Sequence, residues 1–137
     1  MAYWLFKEEA DHYSYADLER DGTTRWDGVT NNLARQNLRK VRKGDRVLCY
    51  HTGKVKAVVG EMRIVSNPVP DPDSDDPKSV VVDVKAVRNL SHAVPLSRIK
   101  ADSMLATWDL VRLPRLSVMP VTEAQWQRVE ELSRASE

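Results

Sequence analysis

Arg46-Val47-Leu48-Cys49-Tyr50-His51, then Thr52-Gly53-Lys54, then Val55 to Val65, is the stretch that decides the fold. Two apolar runs rich in β-branched residues flank a tight glycine turn, which predicts two adjacent strands. A third run, Val80-Val81-Val82-Asp83-Val84-Lys85-Ala86-Val87, is the clearest strand of the sequence. Strands thus follow one another without a helix between each pair, so a doubly wound parallel sheet is not expected.

Working outward, Ala2 to Glu8 reads as a first strand, apolar on both faces and therefore buried. Ser14-Tyr15-Ala16-Asp17 resembles a capping box opening a short helix to about Arg20, which Asp21-Gly22 ends. Asn31 to Val41 carries Leu33, Leu38 and Val41 at helical spacing, with Gly44 as the left-handed stop. Asn67 to Lys78, rich in proline and aspartate, reads as a solvated loop. Leu96 to Met104 predicts a helical turn or two, and Arg112 to Val121 a last strand. Thr122-Glu123-Ala124-Gln125 is a full capping box that launches a final helix to about Arg134. Trp4, Trp108 and Trp126 are assigned to the core.

The 137 residues suit one domain with a single core, and we read 1–137 as that domain. No apolar run approaches the ~20 residues that span a bilayer. The N-terminus has strand character, not that of a secretory signal. The single cysteine cannot form an internal disulfide, which points to a reducing, cytoplasmic setting.

A net charge of +1 says nothing by itself about nucleic acid. Its distribution says more: Arg35, Arg39, Lys40, Arg42, Lys43 and Arg46 cluster, while the aspartates concentrate between Asp71 and Asp76. One positive face can draw a polyanion to a nearly neutral protein, although a solvated helix is often basic for no such reason. Walker, dinucleotide and nucleophile-elbow motifs are missing. One cysteine and three dispersed histidines give no zinc spacing, so neither metal nor cofactor is expected. Cys49 and His51 share a strand face, yet a free strand cysteine is far more often a small core residue than a nucleophile.

Three blocks place aromatic, amide, cationic and hydroxyl groups beside strand residues: Tyr3-Trp4-Leu5-Phe6-Lys7, Trp26-Asp27-Gly28-Val29-Thr30-Asn31 and Arg115-Leu116-Ser117-Val118-Met119-Pro120-Val121. With Tyr13-Ser14, Ala34-Arg35, Asn37-Leu38, Lys43-Gly44-Asp45, Tyr50-His51 and Val59-Gly60 in order between them, the chain resembles the EVE domain family. The resemblance implies an α+β, PUA-like small β-barrel of five or six strands with short helices around it, related to the YTH readers of methylated RNA. It also implies binding without catalysis. The partner would be nucleic acid carrying a modified base, DNA in preference to RNA, bound by a monomer with the base flipped into a pocket.

In that reading Trp26 lies beside a loop and offers a stacking platform, against the alternative of a core tryptophan. Lys7, Asn31, Tyr50, His51 and Ser117 would read the base edge, and Arg115, two residues from Ser117 on one strand, would hold a phosphate or brace the pocket. Asn31 equally suits a helix N-cap, and His51 a structural histidine. Arg35, Arg39 and Arg42, on one helix side, would meet backbone phosphates. The sequence departs from the family where Thr30 replaces arginine and Met119 replaces glutamine, which suggests a bulkier or less polar modification. The rival readings are a modified-RNA binder, a small hydrolase of modified nucleosides using Lys7, Cys49 or His51, and a protein-interaction module.

Overall fold

The computed structural model describes residues 1–135. Along the chain lie β1 (Tyr3–Glu9), α1 (Tyr15–Asp21), β2 (Thr23–Trp26), α2 (Asn32–Lys40), β3 (Arg46–Thr52), β4 (Ala57–Ile64), β5 (Val69–Pro70), β6 (Val80–Pro95), α3 (Leu96–Ala101), α4 (Asp109–Arg112), β7 (Val118–Val121) and α5 (Glu123–Arg134). The strands form one sheet in the order β2-β6-β4-β3-β1-β7, with β5 added to β6. β1 and β3 are parallel; the other pairs are antiparallel. The fold is thus α+β, with seven strands in place of the five or six expected. Among the described residues β2 and β7 do not pair, so the ladder does not close into the expected barrel. No helix among them is long and apolar enough to cross a membrane.

Three differences from the sequence reading have local causes. β6 runs for sixteen residues, twice the valine-rich stretch, because β4 pairs with it as far as Pro95 and absorbs the mismatch in two irregularities, at Val58/Gly60 and Glu61/Met62. The expected strand over Arg112 to Val121 shrinks to Val118–Val121; Arg112 ends α4, and the chain turns at Pro114 and Arg115. The proline-rich loop contributes β5, two residues paired with Val80 and Val81.

Both capping boxes form as read, at Ser14/Asp17 and at Thr122/Gln125. α2 ends in an extended Val41, so Gly44, at φ +95°, serves the following turn into β3 instead. That turn places Asp45, buried, to accept hydrogen bonds from the Ala2 N–H (3.0 Å), the Trp4 indole (2.9 Å) and the Arg42 N–H (2.9 Å). One carboxylate thereby ties the start of the chain to the entry of β3.

The sheet centre holds a second buried carboxylate. Glu61, 1% exposed, receives the Arg46 guanidinium at 2.8 and 3.1 Å and the Arg88 Nε at 3.0 Å. Arg46 lies over the Trp126 ring, 4.7 Å from its centroid, and Arg88 also pairs with Glu130 of α5. Beside them the Tyr15 ring sits on Gly60, where a Cβ would come within 2.7 Å of it. The Tyr15 hydroxyl lies 2.6 and 2.9 Å from the Glu61 and Arg88 carbonyls and accepts the Val87 N–H. Glycine is required here by close approach, not by a turn. Trp4, Trp108 and Trp126 are buried as expected.

Replacing Glu61→Gln keeps the volume and removes the charge both arginines face. Because those arginines keep some solvent access, the loss should fall at the lower end of a broken buried pair, about 3 kcal/mol. Urea unfolding of the variant measures it; a loss below about 1 kcal/mol would mean the arginines simply resolvate.

Candidate functional site

Trp26 closes β2, opposite Val82, and the chain leaves it through Asp27-Gly28, with Gly28 at φ +72°. Its ring packs on Phe6 at 5.4 Å between centroids, and the residue is 6% exposed. Trp26 thus stands beside the loop as expected, but most of its indole is packed away and offers no open platform. Pairing of β2 with β6 carries it into the core, and only its remaining surface lines a recess. That recess, about 310 Å³, is completed by Glu8, His12, Tyr13, Thr24, Arg25 and Asp27. The volume is at the lower end for small-molecule sites.

The recess is edged by charge of both signs. The Glu8 carboxylate is 2.6 Å from the His12 ring, and the Tyr13 hydroxyl donates to Asp21 at 2.7 Å. The hydrogen bond that the His12 ring donates to the Glu8 carboxylate, and then that carboxylate's charge, push the His12 imidazole above its ordinary 6.5. Glu8, His12, Tyr13, Arg25 and Asp27 were not singled out from sequence. Strand alternation carried a signal for Glu8: it shares the β1 face of Phe6, against which Trp26 packs, whereas Lys7 points away.

Lys7 instead pairs with Tyr50 across β1 and β3, its ammonium 5.6 Å from that ring's centroid. The ammonium donates to the Pro114 carbonyl at 3.0 Å, and the Lys7 N–H donates to the Ser117 carbonyl at 2.9 Å. Partial burial lowers the Lys7 ammonium from its ordinary value and raises the buried Tyr50 phenol. Lys7, Tyr50 and the Ser117 backbone are therefore neighbours, although none of the three lines the recess beside Trp26.

Arg115 lies in the turn Leu113–Leu116, closed by the Leu116 N–H on the Leu113 carbonyl, so it does not share a strand with Ser117. It lines a second, more apolar recess of about 360 Å³ with Asn31, Leu33, Arg112, Leu113, Pro114 and Leu116. Asn31 N-caps α2, its Oδ1 accepting from Ala34 N–H at 3.0 Å. Its amide nitrogen alone remains to donate. The two recesses flank the loop between Trp26 and Asn31, and Lys7 lies between them, next to Glu8 in sequence and bonded to Pro114.

His51 does not reach either recess. It is buried, its Nε2 accepting from the Tyr15 N–H and its Nδ1 donating to the Glu8 carbonyl, each at 3.0 Å. Both ring nitrogens are consumed in joining α1 to β1, so the base-reading role is corrected to a structural one.

The three arginines assigned to phosphates are also engaged within the fold. Arg35 donates to the Val29 carbonyl and pairs with Asp76 at 2.8 Å; Arg39 donates to the Lys78 carbonyl. Arg42 lies past the end of α2 and caps it, donating to the Arg39 and Val41 carbonyls. Helical spacing places Arg35 and Arg39 on one side of α2, where the aspartate-rich loop packs, but it does not extend to Arg42. Met119 is wholly buried opposite Leu5, so its departure from the family pattern changes core packing and not a binding surface. Thr30 is exposed.

The family model described as the EVE domain matches residues 2–132. The chain belongs to the EVE domain family. Among curated proteins, this EVE domain is 34% identical to mouse (Mus musculus) thymocyte nuclear protein 1, over 90% of this chain and 70% of that protein. Among solved structures it resembles a Rhodopseudomonas palustris protein determined by NMR, at 36% identity and a TM-score of 0.93 over 100% and 96% of the two chains. It also resembles human THYN1 protein in complex with 5-methylcytosine-containing DNA, at 29% identity and a TM-score of 0.92 over the whole of both chains. An ASCH protein from Zymomonas mobilis, at 12% identity and a TM-score of 0.57 over 96% and 95% of the chains, shares the fold.

The Glu8–His12 pair makes a checkable claim. Since the folded value is raised, its stabilisation is present below the ordinary 6.5 and is lost as pH rises through the raised value. An NMR titration of His12 should show a midpoint above 6.5 that falls back in Glu8→Gln.

Proposed function

We propose that this EVE domain binds DNA carrying a modified cytosine, 5-methylcytosine in the first instance, and performs no reaction on it. The observation that carries this reading is the likeness to the human protein solved with 5-methylcytosine-containing DNA, which extends over all of both chains.

The recess beside Trp26 would accept the extruded base, with the cost of unstacking offset by contact with the indole and Tyr13. Glu8 would accept from the exocyclic amino group of cytosine, a pairing that suits a carboxylate, and Arg25 would donate to the ring's acceptor edge. On the far side of the loop, Arg115 is exposed and would meet phosphates in place of the engaged Arg35, Arg39 and Arg42, whereas Arg112 is paired with Asp109. Lys7, Tyr50 and Ser117 would hold the wall between the two recesses, with Asn31 donating from the apolar side.

The surroundings of the candidate groups argue against the hydrolase alternative. Cys49 is 2% exposed and its thiol is pushed up to about 12 by burial, which leaves no thiolate near neutrality. His51 has no free nitrogen to act as a base. Lys7 donates to a backbone carbonyl.

Titration of intrinsic fluorescence with methylated and unmethylated DNA and RNA oligonucleotides tests the reading. Wild type should prefer methylated DNA, and Glu8→Gln should lose about tenfold in affinity for it, within the ~1–3 kcal/mol of a good base-edge contact. Trp26→Phe is the appropriate partner variant, because Trp26→Ala would also remove a core ring at a cost of about 3–5 kcal/mol. Equal affinity for methylated and unmethylated DNA would overturn the proposal, and preference for modified RNA would redirect it.

A further inference from the structure

The β3–β4 hairpin and α3 build a second charged surface that the base-binding reading does not use. Lys54, Val55, Lys56, Pro95, Leu96, Ser97 and Lys100 line a concavity of about 400 Å³ in which every charged side chain is a lysine. Lys54, Lys56 and Lys100 are exposed, and none forms an ion pair among the described residues. This contrasts with Arg35, Arg39 and Arg42, whose guanidinium groups are held by the fold.

The backbone supplies an independent observation. Lys56 has φ +48°, the one non-glycine residue among those described with a left-handed backbone. A side chain is disfavoured there, and glycine would adopt the conformation freely. The position is fixed from outside, because the Lys56 carbonyl accepts the Leu96 N–H at 2.8 Å, where β6 passes into α3. A lysine is therefore held in a conformation that suits glycine, and it completes the three-lysine surface. Local strain retained at a charged, exposed position points to a role outside the fold.

Resting on the DNA-binding reading above, we propose that Lys54, Lys56 and Lys100 form a phosphodiester-binding surface. It engages the backbone of the same nucleic acid at a distance from the recognised base. The hairpin tip connects the two places: Lys54 and Val55 also border Glu9, Ala10 and Asp11, which run on to His12 in the recess wall. Glu9 and Asp11 repel a polyanion, so the backbone meets the lysines beyond these carboxylates and not along a continuous track. A trinucleotide seats its modified base in the recess and is too short to extend past the carboxylates. A longer oligonucleotide reaches past the carboxylates and gains the lysine contacts.

The contacts carry no sequence or modification preference, because a lysine reads phosphate as a point charge. They set the salt dependence. Lys56 makes the proposal separable from a structural role, since Lys56→Gly relieves the backbone while removing the charge.

The test compares wild type, Lys56→Gly and Lys54→Gln/Lys56→Gly/Lys100→Gln, using methylated and unmethylated DNA duplexes, a methylated trinucleotide and phosphatidylserine vesicles. Lys56→Gly should keep or raise the Tm and reduce the salt slope of duplex binding by about one; the triple variant should reduce it by about three. Methylated and unmethylated duplexes should weaken by the same factor, and trinucleotide affinity should stay unchanged. An unaltered salt slope with preserved methyl preference overturns this surface and leaves the base-binding reading standing. No binding of wild type to any oligonucleotide overturns both. Vesicle binding that only the triple variant loses, with duplex affinity intact, assigns the lysines to a lipid surface and overturns the proposal.

Discussion

A carboxylate removed from water in the middle of the sheet is the constraint on which the rest of the structure hangs. Glu61 sits where β4 is out of step with β6, and its charge is matched by Arg46 of β3 and Arg88 of β6. Such a charge is costly to bury unless its geometry is satisfied, so the three strands are fixed relative to one another. The same two arginines extend outward: Arg46 stacks on the Trp126 indole and Arg88 grips Glu130, so α5 is seated by the same cluster. Tyr15 inserts beside it onto Gly60 and orients α1. Because the recess beside Trp26 is lined by β1, by β2 and by the connection that leads into α1, the shape of the candidate site descends from a buried ion cluster on the same sheet.

Much of this architecture was legible because it is written in local chemistry. Capping boxes at Ser14 and Thr122, the glycine turn after Thr52 and the apolar runs of β3 and β4 each signal through neighbours in sequence, and they fall in place within a residue or two. What was not legible depends on distant partners. β6 continues through Arg88, Asn89 and Ser91 only because β4 runs beside it, and β2 is a strand only because β6 offers an edge. Glu61 and Asp45 show no pattern in sequence that distinguishes them from surface carboxylates; apart from the Arg42 N–H near Asp45, their partners lie 15 to 43 residues away.

The site followed the same rule. Lys7 and Tyr50 are neighbours because they are register partners on β1 and β3, and Ser117, just ahead of β7, joins them through its backbone carbonyl. Trp26 was misjudged in exposure, since the turn that follows it is visible and the strand that buries it is not. His51 and the α2 arginines carry the right chemistry for recognition, but their hydrogen-bonding capacity is taken up by backbone carbonyls, an amide and an aspartate brought in from elsewhere. Residue type alone cannot separate a group that reads a ligand from one that reads its own fold.

The position of β1 has a consequence for how the chain is made. Its parallel partner β3 and its antiparallel partner β7 enclose it on both sides, and β7 is among the last elements synthesised. A nascent chain therefore carries an apolar strand, Trp4-Leu5-Phe6 at its centre, with one edge unpaired until nearly all of the domain has emerged. Assembly on the ribosome is consequently late and concerted, and the first strand to emerge must be kept from non-native pairing throughout that interval.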